Sequence, residues 1–420
     1  MKKLLFLFAF LILTTWSLIA QDFNFGNPTR PYMNTITTAA PFLLITPDSR
    51  GGAMGDMGVA TSPDNYSQHH NPSKYVFNTE IFGIGLAYSP WLRALVSDVH
   101  LSYLSTFWKA TENDAIAFSL RYFSLGEIQF TSADGTLLYM ANPNEFSFDF
   151  TYARKLSQIV SMAITPRFIY SNLGAGFQSQ GQGYQMKPGL AGAVDISLFV
   201  HKEFVHYNSA IKSSELMFGT NISNIGNKVS YTNENSQRDF LPCNLRLGLS
   251  YAIDIDDYNK VSVGVEMGKL LVPTPTIYMD FDTALGTRPI YGNGKNMDEI
   301  NPIVGIARSF YDGAGGYGIN PTGCFMEELR ETTWSIGAEY SYRNILFVRT
   351  GTFLESKYKG NRKFISFGAG VKYSIFAIDV SYLFALSQQH HPLENNLRFS
   401  LTFMLDSFNK ERIKTQGKLN

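Results

Sequence analysis

The segment Phe146-Ser-Phe-Asp-Phe-Thr-Tyr152 decides the fold class of this chain. Its aromatic residues alternate with small or polar ones, and the same alternation recurs at residues 116–122 and 397–403. Successive side chains of a β-strand point to opposite faces, so this pattern predicts strands with one apolar and one polar face. Strands of this type form a wall that has lipid on one side and a lumen on the other.

Segments with this alternation can be placed fourteen times along the chain, an even number as in single-chain bacterial barrels. They begin near residues 80, 97, 114, 145, 159, 188, 214, 243, 260, 332, 344, 363, 376 and 395. The sequence therefore predicts an all-β fold, a transmembrane antiparallel β-barrel of about fourteen strands.

Charged residues in the middle of these strands provide an independent test of the strand placement. All of them fall on the polar parity, which would face the lumen; a charge facing lipid at mid-depth costs about 2–4 kcal/mol. These residues are Arg121, Asp149, Arg167, Asp195, Arg246, Glu266, Glu339, Arg349, Lys372, Asp379 and Arg398.

The lengths of the connections provide a second test. Connections after even-numbered strands are mostly tight, whereas those after odd-numbered strands are long, notably residues 126–143, 171–187, 226–241 and 271–331. Short periplasmic turns and long external loops alternate in this way, which argues against the alternative of a soluble secreted sandwich. The exception is residues 201–213, a longer connection on the presumed periplasmic side.

Pro166 is a difficulty for the predicted wall. Proline has no N–H to donate to a neighbouring strand, and a closed barrel has no edge strand where that loss is harmless. We therefore expect a bulge, a kink or a local gap in the wall at this residue.

The N-terminus indicates export. Lys2 and Lys3 precede the apolar residues 4–13, and a cut is expected before Gln21, so residues 1–20 are predicted to be a signal peptide rather than a retained anchor. No later apolar stretch has helix-spanning length. Aromatic residues make up 14% of the chain and charged residues 17%, and the mean hydropathy is -0.08. This composition fits an outer-membrane barrel, and the net charge of zero gives no support to nucleic-acid binding.

The residues before the first strand are predicted to form a hatch inside the lumen. The glycines there do not follow a strand or precede a Gly-Lys-Ser/Thr element, so close packing explains them better than phosphate binding. The predicted division is a hatch at residues 21–78, a barrel at residues 79–406 and a periplasmic tail at residues 407–420. The hatch residues singled out are Gly51, Gly52, Gly55, Asp56, Gly58, Asn71 and Pro72.

Residues 40–73 resemble the N-terminal hatch of the FadL-like family of fourteen-stranded barrels, including its Asn71-Pro72 element. The pattern Arg50-Gly-Gly-Ala-Met-Gly-Asp-Met-Gly-Val-Ala-Thr-Ser-Pro-Asp64 further resembles the PorV family of the type IX secretion system. Weaker similarities occur at residues 224–231 and 269–275, so the resemblance extends over nearly the whole mature chain.

The resemblance implies a non-enzymatic role without a cofactor. Such proteins bind the C-terminal signal domain of secreted cargo, dock on the translocon barrel, and carry cargo to the surface attachment (sortase) machinery. The alternative function is a FadL-type passive conduit for hydrophobic small molecules. A conduit needs an apolar pocket behind the hatch and a route through the wall, whereas a shuttle can keep its lumen filled.

The long external loops carry apolar residues that could contact a partner, although they could also pack on each other over the barrel mouth. The candidates for partner binding are Ile128, Phe130, Leu137, Tyr139, Phe177, Tyr317 and Phe325. Cys243 and Cys324 are both expected on the external side, where a disulfide could tether the longest loop; the alternative is two separate thiols.

No local motif for catalysis or metal binding stands out. The tandem histidines His69-His70 and His390-His391 have few carboxylates nearby, and metal ligands on a strand prefer alternate positions. We interpret both pairs as surface or loop histidines, and predict no catalytic or metal site.

Overall fold

The computed structural model describes most of the 420-residue chain. The described residues are 35–91, 98–132, 134–173, 187–206, 211–232, 238–275, 277–279, 288–291, 300–312, 321–386 and 396–405. The predicted signal peptide and the predicted tail lie outside these residues.

Fourteen antiparallel strands form a closed barrel, in which each wall strand pairs with its neighbours in chain order and the first wall strand pairs with the last. The wall strands are β1 Phe82–Pro90, β2 His100–Lys109, β3 Asp114–Ser124, β6 Asn144–Lys155, β7 Val160–Asn172, β8 Gly189–Val205, β9 Ser213–Gly226, β10 Asn244–Asp254, β11 Asn259–Leu270, β14 Thr332–Tyr342, β15 Leu346–Leu354, β16 Lys363–Tyr373, β17 Phe376–Ala385 and β18 Asn396–Met404. The predicted fold class is therefore confirmed. The largest offset in a predicted strand start is at β2, which begins at His100 rather than near residue 97.

The predicted parity of the strands is also confirmed. On β6, Phe148 and Tyr152 are exposed on the outer face, whereas Asp149 and Thr151 are buried on the inner face. All of the mid-strand charges bond to groups within the lumen, most of them in ion pairs. A closed wall of this kind excludes the sandwich alternative.

The two ends of the barrel differ. Tight turns close one end, for example at residues 343–345 between β14 and β15. The other end carries two small sheets, β4 Ile128–Thr131 with β5 Leu137–Ala141 and β12 Ile277–Met279 with β13 Arg288–Tyr291, and two helices, Pro302–Arg308 and Pro321–Arg330. We call these two ends of the barrel the short-turn end and the long-loop end. In outer-membrane barrels the short turns face the periplasm and the long loops face the exterior. No helix in the described ranges is long and apolar enough to cross a membrane.

Residues 35–81, here called the lumen segment, run along the inside of the barrel. The segment contains four short helical turns, Pro41–Leu44, Ser49–Ala53, Ser67–His70 and Pro72–Phe77. Phe42 packs with Phe123 and Ile169 near the long-loop end, and Tyr75 packs with Phe107 near the short-turn end. The chain therefore descends through the lumen before β1 begins.

The irregularity expected at Pro166 is present as an interruption of pairing. The β6–β7 ladder runs to Asp149↔Arg167 and resumes in the same register at Tyr152↔Ile164, which leaves Phe150 and Thr151 of β6 without paired residues on β7. Pro166 still lies opposite Val194 on the β8 side. The missing proline N–H thus accounts for a local break between β6 and β7.

Candidate functional site

The glycines of the lumen segment allow its backbone to touch the wall. Gly55 has φ of 73°, a conformation that residues with a side chain rarely adopt. A Cβ at this position would also collide with the backbone carbonyl of Thr352 on β15. A Cβ on Gly52 would lie 2.9 Å from Cδ of Arg398 on β18. Close backbone approach is therefore what these glycines provide.

Arg50 connects the lumen segment to β14. Its guanidinium binds Glu339 at 3.0 Å through both Nε and a terminal nitrogen, and another terminal nitrogen binds Asp64 at 2.9 Å. Glu339 also accepts from Arg349 on β15, which in turn binds Asp379 on β17. Side chains of alternating charge therefore connect the lumen segment to β14, β15 and β17.

The turn at residues 56–59 is held by Glu266 of β11, the strand that pairs with β14. Oε2 of Glu266 accepts hydrogen bonds from the N–H groups of Gly58 at 2.8 Å and Val59 at 2.9 Å. Arg246 of β10 pairs with the same carboxylate and donates to the Asp56 carbonyl at 2.7 Å. The Asp56 side chain binds Arg398 at 2.6 Å, so this turn bonds to strands on two sides of the barrel.

Asn71 and Pro72 fix the conformation of the lumen segment in the part that approaches the short-turn end. The Asn71 amide donates to the carbonyls of Val59 at 2.9 Å and Leu198 at 3.0 Å, which joins two parts of the segment to β8. Its side-chain oxygen caps the helical turn Pro72–Phe77, in which Pro72 occupies the first turn where no N–H is needed. The buried Lys74 donates to the Gly58 carbonyl at 2.8 Å.

The interpretation of His69 and His70 as surface or loop histidines was wrong. His70 is buried and its Nε2 lies 2.8 Å from Oδ1 of Asp48. His69 Nδ1 accepts from Arg121 at 2.6 Å, so any proton on this ring must sit on Nε2. The pair lies in the lumen because the segment that carries it is enclosed by the barrel, which local composition does not reveal. His390 and His391 lie outside the described residues.

Polar groups lie on the lumen side of the interruption at Pro166. Thr151 and Thr165 hydroxyls are 2.6 Å apart, and the Gln68 amide of the lumen segment donates to Thr151 at 2.7 Å. Beside them Arg167 forms buried ion pairs with Asp149 at 2.6 Å and with Asp195 at 2.9 Å. Hydrogen-bonded groups therefore stand behind the break in the wall.

A cavity of about 470 Å³ lies between the lumen segment and the walls of the long-loop half. Threonines 35, 37, 38 and 46 of the segment contribute to it, and the rest of the lining mixes ionic side chains with the apolar residues Ile36, Pro41, Leu43, Leu44, Leu270 and Phe353. The ionic lining residues are Asp56, Arg167, Arg246, Glu266, Lys269, Glu331, Glu355, Lys359 and Arg362. Charged and apolar side chains thus share this lining, and the charged ones need hydrogen-bonding partners or water.

The hairpin β4–β5 carries several of the predicted partner-binding residues. Ile128 and Leu137 are exposed, Leu137 to 52%, and Phe130 lies opposite Tyr139 in the ladder. Hydrogen bonds from Ser132 and Thr136 fix the hairpin turn and lower the pKa of Asp134 to about 2. Phe325, on the helix Pro321–Arg330, is 70% exposed. Phe177, Tyr317 and the side chain of Tyr139 lie outside the described residues.

The residues of a second apolar surface at the same end were not among the partner-binding candidates singled out from the sequence. On the helix Pro302–Arg308 and the residues after it, Ile303, Val304, Phe310 and Tyr311 are all exposed, Ile303 to 72%. The buried Gly305 of this helix faces Phe240 and Pro273. The four apolar residues form two adjacent pairs, and the pairs are seven residues apart in the sequence. This spacing, about two helical turns, is the signal that could have identified an apolar helix face.

An ion-pair cluster anchors the long loop to the rim of the barrel. Lys269 binds Glu328 at 2.8 Å and Glu331 at 2.7 Å, and Lys359 binds Glu331 at 2.9 Å. Asp312 accepts from the Thr274 N–H at 3.0 Å. Burial raises the pKa of Asp312 to about 7, with the carboxylates of Glu331 and Glu328 adding to the shift and the Thr274 hydrogen bond opposing it. Asp312, Glu328 and Glu331 lie close enough together to bind a metal ion. However, Lys269 and Lys359 already form ion pairs with the two glutamates.

Cys243 is buried next to the external end of β10. Burial raises the pKa of its thiol to about 12, which makes it a poor nucleophile in the folded protein. The side chain of Cys324 lies outside the described residues, so a bridge between the two cysteines stays a prediction.

The family model for type IX secretion system protein PorV matches residues 29–277, more than half of the chain. The chain belongs to the PorV family. PorV proteins are components of the type IX secretion system, and this member is an outer-membrane barrel. The match covers the lumen segment and the wall as far as β11.

No curated protein matches the chain. Solved structures with a similar course of the chain include the toluene transporter TbuX of Ralstonia pickettii, with 11% identity, a TM-score of 0.42, and coverage of 84% of this chain and 96% of that one. The toluene transporter TodX of Pseudomonas putida has 10% identity, a TM-score of 0.44, and coverage of 88% and 98%. The monoaromatic hydrocarbon channel CymD has 11% identity, a TM-score of 0.45, and coverage of 86% and 98%.

Proposed function

We propose that this PorV-family barrel binds the C-terminal signal domain of secreted cargo at its long-loop end. In this role it carries cargo from the translocon barrel to the surface attachment machinery and performs no chemistry itself. The observation that carries the proposal is the set of exposed apolar side chains on this end, beyond the wall strands. Buried apolar and aromatic anchors are what most protein interfaces use for affinity.

The hairpin β4–β5 has the geometry to receive a β-rich partner. It forms a two-stranded sheet of its own, so a further strand could pair with an outer edge. Ile128, Leu137 and Met140 are all exposed on it. A signal domain that added a strand here would cover these side chains and gain main-chain hydrogen bonds at the same time.

The filled lumen argues against the alternative of a passive conduit for hydrophobic molecules. Nine ionic side chains lie among the apolar residues that line the cavity behind the lumen segment, and an apolar ligand would leave those ionic groups without water. The segment itself is bonded to β14 through Arg50 and to β11 through Glu266. The break at Pro166 would be the conduit's route through the wall, but Thr151 and Gln68 stand behind it.

The test is a triple variant, Ile128→Ser, Leu137→Ser and Met140→Ser, which changes no wall strand. We expect normal barrel assembly, seen as the usual difference in gel migration with and without boiling. Binding of a purified cargo signal domain to the detergent-solubilised variant should weaken at least about tenfold, as expected for loss of hot-spot contacts. Secreted cargo should accumulate in the periplasm or lose surface attachment.

The matched control is Gln129→Ser with Thr136→Ser, which changes exposed polar residues of the same hairpin. It should bind the signal domain as the unmodified protein does. Wild-type affinity and normal surface cargo in the triple variant would show that the hairpin is not the cargo site.

A further inference from the structure

The β8–β9 hairpin extends past the rim of the barrel at the short-turn end. β8 pairs with β7 only as far as Val200, which lies opposite Val160, yet it stays paired with β9 to Val205. The last bond toward β7 runs from His201 N–H to the carbonyl of Ile159, at 2.8 Å, in the tight β6–β7 turn. Residues 202–205 therefore extend about 13 Å beyond that turn at the normal strand rise.

The side of this extension that faces away from β9 is an open strand edge. Because His201 donates toward β7 and His206 donates toward β9, at 3.1 Å to Lys212, alternation directs the N–H groups of Glu203 and Val205 to the open side. Within the described ranges no strand pairs with residues 202–205 on that side. Unpaired main-chain groups at this spacing are satisfied by another extended strand.

The side chains of the edge specify the chemistry of that strand. Glu203 lies opposite Glu215 in the ladder, and the Glu215 carboxylate is already paired with Lys260 and, at 3.2 Å, with His201. Glu203 is exposed and directly opposite a like charge, an arrangement that a basic neighbour relieves. Phe204 is exposed on the other face of the strand, where an apolar neighbour would cover it.

We propose that residues 202–205 are a docking edge for an extended periplasmic segment that alternates apolar and basic residues. The segment adds a strand to β8 and places a basic side chain beside Glu203. This surface lies at the opposite end of the barrel from the proposed cargo site. The barrel would therefore hold an internal partner and external cargo at the same time.

The probe is a fluorescently labelled eight-residue peptide of alternating valine and lysine, titrated against the full chain in detergent and followed by fluorescence anisotropy. Saturable binding is expected, together with slower hydrogen exchange at Glu203 and Val205. A valine–glutamate peptide should bind at least about tenfold more weakly, and so should the valine–lysine peptide with its edge-facing amides N-methylated. Equal binding of all three peptides, or no binding at millimolar concentration, overturns the proposal.

Glu203→Pro removes an edge donor but no β8–β9 hydrogen bond, so the barrel should assemble and the valine–lysine peptide should lose at least about tenfold in affinity. Glu203→Gln should reduce only the preference for lysine over glutamate in the peptide. A chain lacking residues 406–420 distinguishes the competing occupant. If the peptide binds only after this deletion, the chain's own basic C-terminal residues fill the edge and the proposal of an external partner is wrong.

Discussion

Arg50 and Glu339 are 289 residues apart in the chain, and their side chains form a bidentate ion pair inside the barrel, with both nitrogen–oxygen distances at 3.0 Å. Both side chains are largely buried. The pair fixes the lumen segment to β14, and Arg349 extends the contact to β15 and β17. The lumen segment is thus bonded to the wall by charges that water would otherwise solvate.

Arg50→Met tests the strength of this attachment. Removing one partner of a buried ion pair leaves an uncompensated charge, so the free energy of unfolding should fall by about 3 kcal/mol. The loss can be measured from denaturant midpoints of the boiling-dependent gel shift. The control is Arg154→Met, because the Arg154–Asp114 pair is 3.7 Å long and its arginine is 60% exposed; no measurable change is expected there. Equal losses in the two variants would show that the lumen pair contributes nothing special.

Gly351→Ala tests the close approach of the lumen segment to β15. A Cβ at Gly351 would lie 2.6 Å from Cα of Met54, a distance that forces the segment away from the wall. Overpacking of this kind costs about 1–3 kcal/mol, and protease cleavage within residues 49–58 should become faster. Gly192→Ala on β8 is the matched control because no atom of the described residues lies within 4 Å of its Cβ position. The idea fails if the two alanine variants resist protease equally.

The wall could be predicted from sequence because its determinants are local. Alternation of the kind seen at Phe148 and Asp149 assigns each residue to the lipid face or the lumen face, and this assignment does not require knowing which strands lie on either side. The glycines and Asn71-Pro72 indicated a packed segment for the same reason. The bonds of that segment could not be predicted, since partners such as Arg50 and Glu339 meet only after the barrel has closed. His69 and His70 were misjudged because their burial depends on the enclosing wall and not on their immediate sequence.

Asp312 predicts a pH dependence of the long-loop anchor. Its pKa in the folded protein is raised to about 7, above the ordinary value near 3.9. The folded state therefore binds the extra proton, and the associated stability is fully present below about pH 4 and lost as the pH rises through 7. The free energy of unfolding should fall between pH 5 and pH 8, and Asp312→Asn should flatten that fall. An unchanged slope in the variant would assign the effect to other groups.

An engineered disulfide between Ser49 of the lumen segment and Ser400 of β18 can distinguish the cargo shuttle from the passive conduit. Their hydroxyl oxygens are 3.1 Å apart, and the Ser49 N–H also donates to Ser400 Oγ at 2.8 Å. Cysteines at both positions, with Cys243 and Cys324 changed to serine, should therefore form a disulfide after a small adjustment. Oxidation would fix the first third of the segment to the wall.

A cargo shuttle works with its lumen closed, so the oxidised double-cysteine protein should bind the cargo signal domain and support secretion at the normal rate. A conduit must move the segment, so uptake of a hydrophobic compound would stop on oxidation and return on reduction. The same variant in its reduced form is the control for the substitutions themselves, and mass spectrometry after alkylation reports the fraction bridged. Secretion that stops only in the oxidised protein would mean that the segment moves during cargo transfer, and a static lumen would then be the wrong description of this barrel.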